Sequence, residues 1–180
     1  MPAGSTPSSS PRPYRVTFVC TGNICRSPMA RVVVEELIRK QGLENRVELD
    51  SAAIGDWHVG EGADPRALSE LRRHGYDGSY HRARQLDPDE ISKADLVIAM
   101  DRGHADVLRV WARTPENREK VRLLRSFDPE AETGDQDLAD PYYGEDEGFE
   151  VVLEQVRAAA PGLVAAVREE LRRRDTRDSA

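Results

Sequence analysis

The chain has 180 residues, of which 38% are hydrophobic and 33% charged, and carries a formal net charge of −7. That length fits one domain able to bury its own core, and the acidic balance argues against nucleic acid or an anionic membrane surface as the main partner. The cysteines, Cys20 and Cys25, are too few for a secreted disulfide framework. No apolar run approaches the ~18–20 residues of a membrane span and the N-terminus has no apolar signal core, so a cytoplasmic monomer is expected.

Residues 1–13 hold Pro2, Pro7, Pro11 and Pro13 with Ser5, Ser8, Ser9 and Ser10, the composition of a disordered tail. Tyr14–Val19 is a short β-prone run. From Pro28 to Gln41, Met29, Val32, Val33, Leu37 and Ile38 recur near a 3.6-residue period and predict a helix. Ser27 is its expected N-cap, Pro28 its first residue, and Gly42 its end. Val47–Ile54 alternates as a second strand. Asp64-Pro65 opens a helix that stops at Gly75, and Asp87-Pro88 opens a short one. Asp95–Met100 contains Leu-Val-Ile-Ala-Met, a continuous apolar run that suits a buried parallel strand. Asp101 caps a helix to about Arg113, and Val121–Phe127 is a fourth strand. Over Gly148–Arg172 an apolar face from Phe149 to Leu171 predicts a long helix, which Pro161 should kink or offset. Residues 173–180 are Arg/Asp-rich and are expected to fray, with a solvated last helical turn as the alternative.

Such alternation predicts an α/β fold: a single three-layer, doubly wound domain over residues 14–172 with a central four-stranded parallel sheet. Ligands of this architecture sit beyond the C-terminal ends of the strands. The stretch Cys20-Thr21-Gly22-Asn23-Ile24-Cys25-Arg26-Ser27-Pro28 lies there, between the first strand and the first helix. It gathers a thiol, a guanidinium, a hydroxyl and a row of backbone N–H groups. A helix N-terminus and a neighbouring cation favour the thiolate, the nucleophilic form of cysteine. Ser27 is a donor to that sulfur. Backbone N–H groups from Thr21 onward form an anion nest, and Arg26 grips two phosphate oxygens with its planar fork. Gly22 permits backbone angles and close approach that a side chain would block. The lysine of nucleotide-binding phosphate loops is missing. The four histidines, His58, His74, His81 and His104, are not spaced as ligand pairs. Neither metal nor cofactor is expected.

This constellation resembles the low-molecular-weight protein tyrosine phosphatase family. The family's loop, Cys-x-Gly-Asn-Ile-Cys-Arg-Ser-Pro, stands here as Cys20 to Pro28, and its acid loop, Asp-Pro-Tyr-Tyr, as Asp140-Pro141-Tyr142-Tyr143. Asp56-Trp57-His58-Val59-Gly60, Asp64-Pro65-Arg66 and His81-Arg82-Ala83-Arg84-Gln85 also look like family segments. The resemblance spans about residues 14–172 and departs at Ala53-Ile54, where the family often has Gly-Thr. It implies a phosphatase I-like fold and hydrolysis of phosphotyrosine in proteins through a phosphocysteine intermediate. Cys20 is then the nucleophile, Arg26 holds the phosphate and Asp140 is general acid and later base.

The chemistry agrees with that implication. Tyrosine has a pKa of ~10, so its phenolate leaves poorly unless protonated, and a general acid is required. The loop residues Thr21, Gly22, Asn23, Ile24, Cys25 and Ser27 would surround the phosphate, while Trp57, Tyr142 and Tyr143 would form a slot for a flat ring. Asn23, Ser27, His81 and Asp101 are the candidate supports of the loop. Asp140 also suits a plain turn before proline, His81 a surface histidine and Asp101 a helix cap. Cys25 reads equally as a small apolar filler and as a thiol that traps oxidised Cys20 in a disulfide. Arsenate reduction on the same fold needs further cysteines, which are missing. A mere phosphate-binding module would not need both nucleophile and acid.

Overall fold

In a computed structural model, which describes residues 10–180, the chain forms a four-stranded sheet between two layers of helices. The elements are β1 (Tyr14–Cys20), α1 (Arg26–Lys40), β2 (Val47–Ala53), α2 (Pro65–Arg73), α3 (Glu90–Lys93), β3 (Leu96–Ala99), α4 (Arg102–Trp111), α5 (Pro115–Glu119), β4 (Val121–Leu123) and α6 (Glu147–Asp178). Strand order is β2-β1-β3-β4 and every pairing is parallel. The chain leaves β1 toward β2 on one side and returns to β3 on the other. The crevice between the ends of β1 and β3 is therefore the topological switch point, where such sheets bind ligands.

Side-chain alternation along the buried strands builds two cores. Val16, Phe18, Leu96 and Ile98 face α1 and α6, whereas Val19, Val97 and Ala99 face α3 and α4. α1 ends as expected: Gly42 takes φ +68°, its N–H donates to Arg39 O, and Leu43 N donates to Ile38 O. That closes the helix in a Schellman turn. Asp64 and Asp101 cap α2 and α4 with their carboxylates.

Several expectations require correction. α1 begins two residues earlier than predicted, at Arg26 rather than Pro28, and Ser27 is not its cap: the N-cap is Cys25, with no side-chain capping bond. β4 stops at Leu123, and Leu124–Phe127 turns into a 3₁₀ helix. The buried Arg125 there donates to Asp137 O at 2.9 Å, which an extended strand would not permit. α5 was not expected, although Thr114-Pro115 carries its start signal: the Thr114 hydroxyl accepts from Asn117 N. α6 continues through Pro161 without a break, and Gly162 lets it approach the turn closely, since a Cβ there would sit 2.2 Å from Phe127 O. Of the two readings for residues 173–180, fraying and a helical end, the structure shows the helical one: α6 runs to Asp178, tied down by Arg174 to Asp95 and by Arg46 to Asp175. Of the N-terminal tail, residues 1–9 lie outside the described residues. Residues 10–13 have no regular structure, yet Arg12 pairs with Asp95 at 2.8 Å. Among the described residues no helix is long and apolar enough to cross a membrane.

Candidate active site

β1 delivers Cys20 to the switch point, and residues 21–25 form the turn into α1. The Cys20 thiol is buried and its Sγ lies 2.9 Å from Ser27 Oγ. Asn23 Nδ2 donates to the same Ser27 oxygen at 2.7 Å and to Ser51 Oγ at 3.0 Å. Because Ser27 Oγ already accepts from Asn23, its own proton is free for the sulfur. Asn23 Oδ1 accepts from Arg84 N at 3.1 Å, and Asn23 O accepts from His81 Nε2 at 2.6 Å. Burial lowers the His81 pKa despite that bond, so the ring is neutral at pH 7 and carries its proton on Nε2.

Asn23 sits at φ +59°, a left-handed conformation that asparagine tolerates better than most residues. Gly22 is not at positive φ; what it supplies is room, because a Cβ would lie 2.8 Å from His58 Cδ2. Among the described residues, none of the backbone N–H groups of residues 21 to 27 donates to another backbone carbonyl. They remain available to an anion at the positive end of α1.

Arg26 points into this loop from the first turn of α1 and is almost fully buried. Its Nη1 donates to Asp101 Oδ2 and to Leu138 O, each at 2.8 Å, and its Nη2 stands 3.5 Å from Asp140 Oδ2. Asp101 fills both of its expected roles: one oxygen holds Arg26, and the other caps α4 by accepting from His104 N at 2.9 Å. Burial works against its charge, but hydrogen bonds and the cationic neighbour outweigh it and hold the carboxyl below the usual range. Leu138 N in turn donates to Met100 O at 2.8 Å, pinning this segment to the end of β3.

Asp140 begins the segment that faces the thiol loop. Its Oδ1 accepts from Tyr142 N at 3.1 Å in a local turn. The rings of Tyr142 and Tyr143 meet edge to face at 4.8 Å. Tyr143 is 91% exposed and Trp57 67%, so both stand as open walls. The cleft between the two loops measures about 500 Å³ and is lined by Cys20, Thr21, Gly22, Ile24, Cys25 and Arg26 on one side. Trp57, His58, Asp140, Tyr142 and Tyr143 form the other. The side chains of Asn23 and Ser27, residues expected both to surround the ligand and to support the loop, lie fully buried behind it and are hydrogen-bonded to one another, to Cys20 and to Ser51. Cys20 and Cys25 are both free thiols. Burial, with Asp64, Cys20 and Asp140 nearby, pushes the Cys25 thiol up, so it stays protonated at neutral pH.

The buried loop with its free N–H row, the guanidinium beneath it and the carboxylate across the cleft together have the chemistry to receive a phosphate ester. A family model described as low molecular weight phosphotyrosine protein phosphatase matches residues 15–173. The chain belongs to that family. A low molecular weight protein-tyrosine-phosphatase of Streptomyces coelicolor is 55% identical over 158 residues, covering 88% of this chain and 96% of its own. Low molecular weight protein-tyrosine phosphatase A of Mycobacterium tuberculosis is 47% identical over 161 residues, covering 89% and 96%. Among solved structures, YfkJ of Bacillus subtilis superimposes with a TM-score of 0.81 at 34% identity, covering 88% of this chain and 97% of its own. An Entamoeba histolytica protein tyrosine phosphatase, solved with Hepes in its active site, gives 0.81 at 28% identity and covers 87% and 98%. Like these relatives, this member of the family is a phosphatase on a four-stranded parallel α/β fold.

The structure adds neighbours that the sequence reading did not single out. His104 Nε2 lies 2.8 Å from Thr21 Oγ1, while its Nδ1 stands 3.2 Å from Asp101 Oδ1 without a hydrogen-bonding geometry. Burial pushes the His104 pKa down to about 4, so it is neutral at pH 7. Ser51 comes from β2 and Arg84 from the loop before α3. His58, held by Glu61 Oε2 at 2.8 Å, closes the cleft over Gly22.

Proposed function

We propose that the chain hydrolyses phosphotyrosine in proteins, and simple aryl phosphates, in two steps. The Cys20 thiolate attacks phosphorus, the bond from phosphorus to the phenolic oxygen breaks, and the Asp140 carboxyl gives that oxygen its proton. A phosphocysteine results. Asp140, now a carboxylate, takes a proton from water as the water oxygen attacks phosphorus. The S–P bond breaks, inorganic phosphate leaves and the thiolate is restored. Arg26 and the N–H groups of residues 21–27 stabilise the equatorial oxygens in both steps. Ser27 steadies the departing sulfur.

The observation that carries this reading is the fork of Arg26. Asp101 and Leu138 O fix Nη1, which leaves Nη2 between the thiol loop and Asp140. A phosphate on Arg26 would thus meet the sulfur on one side and the acid on the other, as an in-line displacement requires. Trp57, Tyr142 and Tyr143 give the cleft aromatic walls that suit a phenyl ring. A shorter phosphoserine would leave those walls unfilled. The two free thiols fit a reducing cytoplasm, where the chain would act as a monomer without cofactor. The test compares phosphotyrosine and phosphoserine versions of one peptide by phosphate release. The reading expects turnover of the first at least ~100-fold faster; equal rates would overturn the aromatic-slot assignment.

A further inference from the structure

The two loops of the site come from distant parts of the chain and need a common reference. One pair of residues touches both. Asp64 N donates to Ile24 O, in the thiol loop, at 2.8 Å. The Asp64 carboxylate, 8% exposed, binds the Arg66 guanidinium through both oxygens, at 3.1 Å to Nε and 2.9 Å to Nη2. Arg66 then reaches across to the acid loop, where Nη2 donates to Tyr142 O at 3.0 Å and Nη1 to Gly144 O at 3.3 Å. Its guanidinium also lies 4.7 Å from the centre of the Phe149 ring, which anchors the start of α6, and 5.8 Å from that of Tyr142.

Capping α2 requires only the bond from Arg66 N to Asp64 Oδ1, at 2.8 Å. The reach of the guanidinium to carbonyls 76 and 78 residues away goes beyond that need. The acid loop has no regular secondary structure, and two carbonyls accepting from one planar fork fix both its height and its tilt. Burial opposes the Asp64 charge, yet the bonds from Arg66 hold its carboxyl below the usual range. The pair therefore stays ionised throughout the neutral range.

We propose that Asp64 and Arg66 form a strut that sets the distance between the nucleophile loop and the acid loop. Arg66 is a positioning residue for the general acid, which it steers through Tyr142 and Gly144. This inference rests on the reading of Asp140 as that acid. A strut of this kind has a kinetic signature that a purely structural role lacks. A displaced acid harms esters of basic phenols more than esters of acidic ones, because only the former need a proton to leave.

The experiment measures kcat/KM of the wild type, Arg66→Ala, Arg66→Lys and Asp140→Ala on phenyl phosphate and on p-nitrophenyl phosphate, with thermal midpoints recorded alongside. Arg66→Ala is expected to lose about 10-fold more on phenyl phosphate than on the nitrophenyl ester, within the ~10²-fold that a misplacement of 1 Å costs. Arg66→Lys keeps a cation beside Asp64 but has no fork, and should lean the same way by a smaller factor. It also stands in if the alanine variant does not fold. Equal losses on both esters in the Arg66 variants, with Asp140→Ala still discriminating, would overturn the strut and leave the acid assignment intact. If Asp140→Ala does not discriminate either, the acid reading falls and the strut with it.

Discussion

The two halves of the cleft are organised in opposite ways. Residues 20–27 are mostly buried, and the loop takes its shape from its own side chains. Asn23 and Ser27 brace the loop from within, and Ser51, His81 and Arg84 hold it from behind. The acid loop from Asp140 to Gly144 is largely exposed and has two local internal bonds, from Tyr142 N to Asp140 Oδ1 and from Gly144 N to Pro141 O. Its remaining fixings are borrowed from Arg26 and Arg66. On the proposed mechanism the nucleophile and phosphate cradle are thus preorganised, which favours electrostatic stabilisation of the transition state. The acid sits on a segment with few buried contacts, the kind that opens at low cost. That division suits a reaction in which the phosphate stays fixed while a ring and then a water must enter.

Substitutions on each side can break or sharpen this contrast. The largest effect short of the nucleophile belongs to Asp140. Asp140→Ala should lower kcat/KM for phosphotyrosine peptides by ~10²–10⁴-fold, the range of general acid catalysis, with a nearly unchanged melting temperature. A marked loss of stability would mean that the acid loop is as much a part of the framework as the thiol loop.

Asn23 should behave in the reverse manner, costing both rate and stability. Asn23→Ala removes the donor to Ser27 and Ser51 and the acceptor for Arg84 N, and leaves at φ +59° a residue that favours the left-handed region less than asparagine does. A loss of about 3 kcal/mol in urea titrations is expected. Asn23→Gly relieves the backbone but not the missing bonds. If it regains full activity, the side-chain network is not what shapes the loop.

A pH series gives a smaller effect. The His104 pKa is about 4 in the fold against ~6.5 in an unfolded chain. Between those values the unfolded state binds more protons, so stability is full above pH 6.5 and declines as pH falls toward 4, by up to roughly 3 kcal/mol. The carboxylates whose pKa values the fold depresses, such as Asp101 and Asp64, lose their contribution at lower pH still. His104→Asn should flatten part of the decline, as followed by denaturation midpoints at pH 7 and pH 5. An unchanged slope would remove His104 from the account. Smallest of all is Gly22→Ala. Its Cβ crowds His58 Cδ2, a movable side chain at the rim, so KM should rise a few-fold, roughly 1 kcal/mol, with little change in stability.

Much of this was legible in the sequence where the signal is local. The strand ending at Cys20, the amphipathic α1 with Gly42 behind it and the apolar β3 follow from periodicity and turn chemistry. Both loops announce themselves through residues adjacent in the chain. The supports were harder to see because they are contacts across long separations: Thr21 to His104 spans 83 residues, Asn23 to Ser51 spans 28 and Arg66 to Tyr142 spans 76. No periodicity encodes such pairs; they exist only once the parallel sheet has brought the strand ends together. Ser27 was rightly read as a partner of the sulfur but misread as the helix cap, because two local roles compete for one hydroxyl. Its position before proline marks a helix start, but its hydroxyl is occupied by Asn23 and the thiol. At the C-terminus, composition alone left fraying and a helical end open, and the choice is made by Asp175 and Arg174, which find partners on remote elements.

The central claim is that Cys20 forms the bond to phosphorus. Cys20→Ser keeps the size of the side chain and its contact with Ser27 while removing the thiolate. The direct measurement is phosphate release from a phosphotyrosine peptide by this variant, alongside a binding titration with the same peptide. The account predicts retained binding and no turnover above the uncatalysed rate. Hydrolysis within ten-fold of the wild type would contradict it.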